Sequence, residues 1–288
     1  MGITPQPNVW QCGPFALKHA LITLGIFADE ATITRIAGTS VDNGTDEKQL
    51  ALAARHYHCE LPMIRRHRPE KARTELLGYL RRGIPALLCL YKWSHWVAIV
   101  KAERGQFIVL DSEVKAVLMI LSWGELKNRW VYHLKDEYDR DHREPVFDLH
   151  PVIPRKRVQT KARFSIARAR YLRRPEHRSL AHLWDQYLVD LMAIAKPRTS
   201  LSVHVISLGE FFRRHDKMIL DQVDYWHGEI DRPMAAKVLQ DLHFVADTYG
   251  LVIHEEDEKR AIAGITSLLT LWAAGRFGSS AVYEDPGA

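Results

Sequence analysis

Three residues in the first part of the chain have the types and settings of a nucleophile, a base and a group that orients the base: Cys12, His95 and Asp111. Cys12 stands at the start of a predicted helix, where unpaired backbone N–H groups and the helix dipole favour a thiolate. A thiolate nucleophile works with a neighbouring base that later protonates the leaving group. His95 is the candidate, because it opens the β-rich run His95–Ala102. An imidazole in that role needs an acceptor to fix its tautomer, and Asp111 directly follows the run Gln106–Leu110. If Arg104-Gly105 turns one run onto the other, His95 and Asp111 fall at one end of a hairpin as near cross-strand neighbours. Attack on a carbonyl also calls for donors to the developing oxyanion. The Cys12 backbone N–H is one, and the Gln6 side-chain amide, six residues upstream, is the other, with Gln11 as an alternative. The plainer reading of Cys12 is a small buried residue at a helix start.

Elements must bring these positions together. Phe15, Ala16, Leu17, Ala20, Leu21 and Leu24 recur at helical spacing after Pro14, and Gly25 stops the pattern. Further helices are predicted over Thr32–Ala37, after a Thr45 cap, and over residues 69–81, with a possible strand at 58–64. The pattern then changes to short β-rich runs: Ile84–Tyr91, His95–Ala102, Gln106–Leu110 and Ala116–Ile120. A helix capped by Ser122 and a last strand at Val131–Leu134 follow. Helices first and antiparallel strands second is an α+β arrangement. Trp93 and Trp96 flank His95 and read as packing residues. His19, His56, His58 and His67 match no motif, and Cys59 and Cys89 read as inert core thiols.

Gln6-x5-Cys12-Gly13, then Ser94-His95-Trp96-Val97-Ala98-Ile99, then Val109-Leu110-Asp111-Ser112 resembles the papain-like cysteine peptidases, most closely the C39 and C39-like branch. Asn43-Gly44-Thr45 before the third helix agrees with it. The resemblance covers residues 1–135. It implies a papain-like fold with Cys12 as nucleophile, His95 as general base and acid, Asp111 as its orienter and Gln6 as oxyanion donor. It implies acylation of Cys12 by a peptide-like carbonyl, followed by release to water or an amine. No cofactor is implied. The best-known C39 domains precede a transporter and an ATPase and cleave after a Gly-Gly pair. This sequence carries neither a membrane-length apolar run nor a GxxxxGK[ST] loop, so the resemblance does not fix Gly-Gly specificity.

The chain has 288 residues, 47% hydrophobic and 26% charged, which suits two globular domains. An odd count of three cysteines argues against a disulfide framework and for a reducing, cytoplasmic setting. No secretory signal is expected. The net charge of +5 is uneven: residues 151–178 carry 10 Lys and Arg against 1 Asp and Glu, and residues 179–288 carry 10 against 16. Residues 136–178 therefore read as a charged connector. Its basic part, 155–178, either packs on the acidic second half or meets a nucleic acid or another anionic partner. Residues 179–288 read as an all-α accessory bundle, with helices capped at Ser179, Ser207 and Asp231, stops at Pro197, Gly250 and Gly275, and an ambiguous stretch at Leu201–Ile206. Asp224-x2-His227, His243-x3-Asp247 and His215-Asp216 have partial metal-ligand spacing, but no full ligand set is evident. Two functions follow. The first is a thiol peptidase or related acyltransferase acting on a peptide or protein. The second is a catalytically silent adaptor holding a protein or nucleic acid through the basic stretch and the bundle.

Overall fold

A computed structural model describes residues 3–114, 117–135, 143–156, 162–195, 204–228 and 230–278. The chain divides into two compact units, Met1–Asp185 and Gln186–Ala288.

The first unit begins with helices α1 (Cys12–Thr23), α2 (Glu30–Ala37) and α3 (Glu47–His56). The short strands β1 (Cys59–Glu60) and β2 (Ile64–Arg66) and helix α4 (Pro69–Arg81) follow. Next come β3 (Ala86–Leu90), β4 (His95–Glu103), β5 (Gln106–Leu110), β6 (Leu118–Ser122), α5 (Trp123–Trp130), β7 (Tyr132–Lys135), β8 (Arg143–Pro151) and β9 (Ile153–Pro154). Helix α6 (Ile166–Leu172) and the start of α7 (Arg178–Ala195) complete the unit. Strands run β2-β8-β3-β4-β5-β6 in one antiparallel sheet, with β7 also paired to β8, while β1 and β9 form a separate pair. The α+β layout read from the sequence is the one observed.

One core packs α4 and α5 on the sheet. Leu76 and Leu80 of α4 and Leu126 and Trp130 of α5 meet Leu88, Val97, Phe107 and Phe147 of the strands. Helix α1 packs against β4 and is buried along its whole length. It is apolar around nearly its full circumference, the pattern of a helix with no solvent face. Its one buried cation, Lys18, is neutralised by Glu30 at 2.9 Å and held by the Thr4 hydroxyl at 2.9 Å.

Several local expectations are corrected. Asp46, not Thr45, caps α3, in a reciprocal capping box with Gln49. Thr45 instead offers its carbonyl to Trp96 Nε1 at 2.9 Å. The 136–178 connector is not one. Residues 136–142 and 157–161 lie outside the described residues, but β8 runs between β2 and β3 inside the sheet. Pro145 and Pro151 sit towards its two ends, leaving Val146, Phe147 and Leu149 buried between them. Arg65 clamps Asp148 of this strand with two bonds of 2.7 Å. The basic stretch is likewise folded into the first unit, with Arg155 donating to Glu60 at 3.1 Å and Arg170 to Gln106 at 3.0 Å.

The second unit contains the rest of α7, α8 (Leu208–His227), α9 (Arg232–Tyr249) and α10 (Glu258–Phe277). Ser207 and Asp231 cap α8 and α9 as expected, and left-handed Gly250 stops α9. The bundle is not purely helical: Val205–Ser207, within and just after the ambiguous stretch, is β10, paired with β11 (Val252–His254). Leu201–Val203 and the predicted stop Pro197 lie outside the described residues. No helix among the described residues is long and apolar enough to cross a membrane.

Candidate active site

Cys12 is the first residue of α1, reached through a single 3-10 turn, Val9–Gln11. Glycine is needed at the next position because of close approach. A Cβ on Gly13 would lie 2.9 Å from Cβ of Thr45, so only a glycine lets the start of α1 seat against the residue that precedes the α3 cap. The Cys12 thiol is nearly buried, with 6% of the residue exposed.

His95 opens β4 after a strained turn. Tyr91, Lys92 and Trp93 all have φ between 51° and 64°, a run of left-handed non-glycine residues. Such backbone is costly and persists only where surroundings over-determine it. Here Trp93 stacks on Tyr132 at 3.9 Å, the Tyr91 N–H donates to the Arg129 carbonyl at 2.8 Å, and Ser94 Oγ donates to the Tyr91 carbonyl at 2.8 Å. Trp96 is buried, and Trp93 is partly exposed but stacked, so both pack as expected.

Asp111 follows β5. The β4–β5 pairing sets Ala98 opposite Leu110 and Ile99 opposite Val109, with a bulge at Ile99/Lys101. Extending that register puts Asp111 opposite Val97, so His95 and Asp111 meet diagonally rather than face to face. They do meet: His95 Nε2 donates to Asp111 Oδ1 at 2.7 Å, and both side chains are 4% exposed. Burial by itself pulls the His95 imidazolium down. The hydrogen bonds and charges of Asp111 and Cys12 outweigh that pull and push its pKa from 6.5 up to about 10. With Nε2 committed to Asp111, Nδ1 is the ring nitrogen that remains. It is buried and has no hydrogen-bond partner of ordinary geometry among the described residues. Catalytic contacts are often loose until a substrate is bound.

Gln6 is tied to Ser112, the residue after Asp111. Its N–H donates to the Ser112 carbonyl at 2.9 Å, and its Oε1 accepts from Ser112 Oγ at 2.5 Å. Its Nε2 donates one hydrogen to the Asn8 carbonyl at 3.0 Å. The alternative, Gln11, accepts from Asn8 Nδ2 at 3.1 Å.

No family model matches the chain, and no curated protein matches it. Among solved structures it is similar to the peptidase domain of Streptococcus ComA, a bifunctional ABC transporter involved in a quorum-sensing pathway. That likeness has 17% identity and a TM-score of 0.38 over 53% of this chain and 97% of that one. It is also similar to a double-glycine-motif protease from an AMS/PCAT transporter in complex with the leader peptide, at 17% identity and a TM-score of 0.37, covering 51% and 89% of the two chains. A C39-like peptidase from Bacillus anthracis gives 10% identity and a TM-score of 0.36, covering 53% and 94%.

Two site residues escaped the sequence reading. Ser112 anchors Gln6, and Glu113 places Oε1 3.5 Å from His95 Nδ1 while its backbone N–H donates to Asp111 Oδ1 at 3.0 Å. Their adjacency to Asp111 was the available signal. The other two cysteines stand apart in chemistry: burial pushes Cys59 up to about 11 and Cys89 up to about 12. The partial metal motifs are used otherwise. His215 Nε2 bonds Glu258 at 2.8 Å, His227 Nε2 bonds the Gly278 carbonyl at 2.9 Å, and Asp224 faces Arg232 at 3.4 Å. Among the described residues no three His, Cys, Asp or Glu side chains gather as a metal site.

Proposed function

We propose that the chain is a papain-like thiol peptidase of C39-like type, or an acyltransferase using the same chemistry. The observation that carries this reading is the buried 2.7 Å contact between His95 and Asp111 beside a cysteine at a helix N-terminus. In this reading the Cys12 thiol gives its proton to His95 Nδ1 and its sulfur attacks a peptide carbonyl. The oxyanion takes donors from the Cys12 backbone and from the second Gln6 amide hydrogen, which no described residue accepts. His95 gives the Nδ1 proton to the departing amine, and Asp111 keeps the ring in the tautomer and orientation that make this possible. Water, or an incoming amine, then gives up a proton to Nδ1 and releases the acyl group from the sulfur.

The test is turnover of a peptide mixture by the full chain, with intact-mass detection of an acylated protein. A mass increment on Cys12 that is absent from Cys12→Ala supports the proposal. Cleavage that survives Cys12→Ala refutes it.

A further inference from the structure

Within the first unit lies a concavity of about 740 Å³ that neither Cys12 nor His95 lines. That size suits a small-molecule ligand, for which sites run roughly 300–1,000 Å³. Its floor is apolar and buried: Val117, Leu118, Phe164 and Trp184. Its rim carries three exposed guanidinium groups, Arg173, Arg174 and Arg178, against one lining carboxylate, Asp185. Arg174 has Glu176 at a loose 3.9 Å, whereas Arg173 and Arg178 have no carboxylate partner among the described residues. A shallower hollow shares Arg173 and Arg174 and adds Arg170, so the cationic rim continues.

Apolar walls under a rim of one charge sign select a ligand with the same division. An apolar tail is desolvated by the floor, and an unpaired guanidinium fork matches a carboxylate or phosphate. We infer that this cavity binds a single-chain amphiphile with an anionic head, its tail on Leu118, Phe164 and Trp184 and its head on Arg173 and Arg178. A nucleic acid would use the arginines and leave the apolar floor empty, so the basic stretch acquires a different anionic partner from the one its sequence suggests. The cavity also borders the backbone that holds the candidate site. Ile3–Pro5 form one wall and lead directly into Gln6. Val117 forms another, in a left-handed conformation (φ 53°) unusual for a β-branched residue, and its carbonyl accepts the Asp111 N–H at 2.7 Å.

Binding is read with no peptide present, so it stands or falls apart from the peptidase reading. The full chain is titrated calorimetrically, below micelle formation, with laurate, lauryl phosphate, neutral monolaurin and inorganic phosphate. Laurate and lauryl phosphate are expected to bind one per chain, monolaurin at least about tenfold more weakly, and phosphate alone not at all. The surface double substitution Arg173→Gln/Arg178→Gln is expected to weaken laurate about tenfold. Leu118→Trp, which fills the floor, is expected to block it while the circular dichroism stays that of the parent. Absence of saturable laurate binding overturns the inference. So does monolaurin binding as tightly as laurate, or laurate affinity unchanged by the arginine pair. An RNA oligonucleotide that binds through the same arginines while laurate does not would assign the rim to nucleic acid instead. The arginine pair decides the matter if Leu118→Trp does not fold.

Discussion

Replacing Asp111 by Asn should convert the chain's stability from pH-dependent to nearly flat over a defined window. In the folded protein His95 titrates near 10, against 6.5 for a free imidazole. Between those values the folded chain holds a proton that the unfolded chain has released. The folded state therefore binds more protons, and stability falls as pH rises, by up to about 1.4 kcal/mol per pH unit. The stabilisation is complete below pH 6.5 and gone above about 10. Asp111→Asn keeps the side chain's size but withdraws the charge, so burial is opposed only by Cys12 and the proton affinity of His95 drops. The wild type should exceed the variant most at and below pH 6.5, with the difference closing by up to about 1.4 kcal/mol per unit from there towards pH 9. Above pH 9 the two buried thiols, held up at about 11 and about 12, begin to favour unfolding in both proteins and obscure the comparison. Below pH 6.5 buried His19, pushed down to about 3 by desolvation, and His150, lowered for the same reason, lose stability as acid protonates the unfolded chain. The wild-type maximum should thus lie near pH 6.5. Urea unfolding at half-unit steps of pH measures all of this. A wild-type-minus-variant difference that stays constant between pH 6.5 and 9 would mean that Asp111 does not hold the proton on His95.

Other perturbations separate the roles around the thiol. Gln6→Ala should lower kcat roughly 10²–10³-fold with little change in KM, the pattern of a lost oxyanion donor, read from steady-state kinetics on any accepted peptide; a change confined to KM would make Gln6 a binding residue. Glu113→Gln should lower the His95 titration midpoint only slightly, because the half-exposed carboxylate at 3.5 Å is worth up to about 1 kcal/mol; NMR titration of the imidazole measures it, and a drop as large as that in Asp111→Asn would contradict the ranking. Gly13→Ala should cost roughly 1–3 kcal/mol, since the added methyl overlaps Thr45 and must displace α1 or α3; an unchanged urea midpoint would show that the contact yields freely.

What was legible in the sequence follows from where its physics is local. Periodicity and capping placed α1, α4, α5 and the strands from Ala86 to Leu110, because apolar spacing and local stop signals mark each of them. The hairpin about Arg104-Gly105 brought His95 and Asp111 together as near cross-strand neighbours, and the bulge in β4 sets Asp111 opposite Val97, one step nearer His95 than an unbroken register would. Strand β8 was missed because two prolines and a flanking charge cluster look like a linker in one dimension. Only the neighbouring strands β2 and β3 make Val146–Leu149 an interior segment. The left-handed turn at Tyr91–Trp93 was also invisible, since none of its residues is glycine and its conformation is imposed by Tyr132 and Arg129. Glu113 and Ser112 act through the loop that carries Asp111, and their roles depend on where that loop folds back.

Competitive alkylation reads out whether His95 and Asp111 activate the Cys12 thiol. The native chain is treated with limiting iodoacetamide at pH 6.5 and the label on each cysteine is quantified by peptide mass. Cys12 should carry nearly all of it, and His95→Ala should abolish that preference while the fold persists. Labelling of Cys59 or Cys89 at a rate equal to Cys12, or a Cys12 rate indifferent to His95, would contradict that activation.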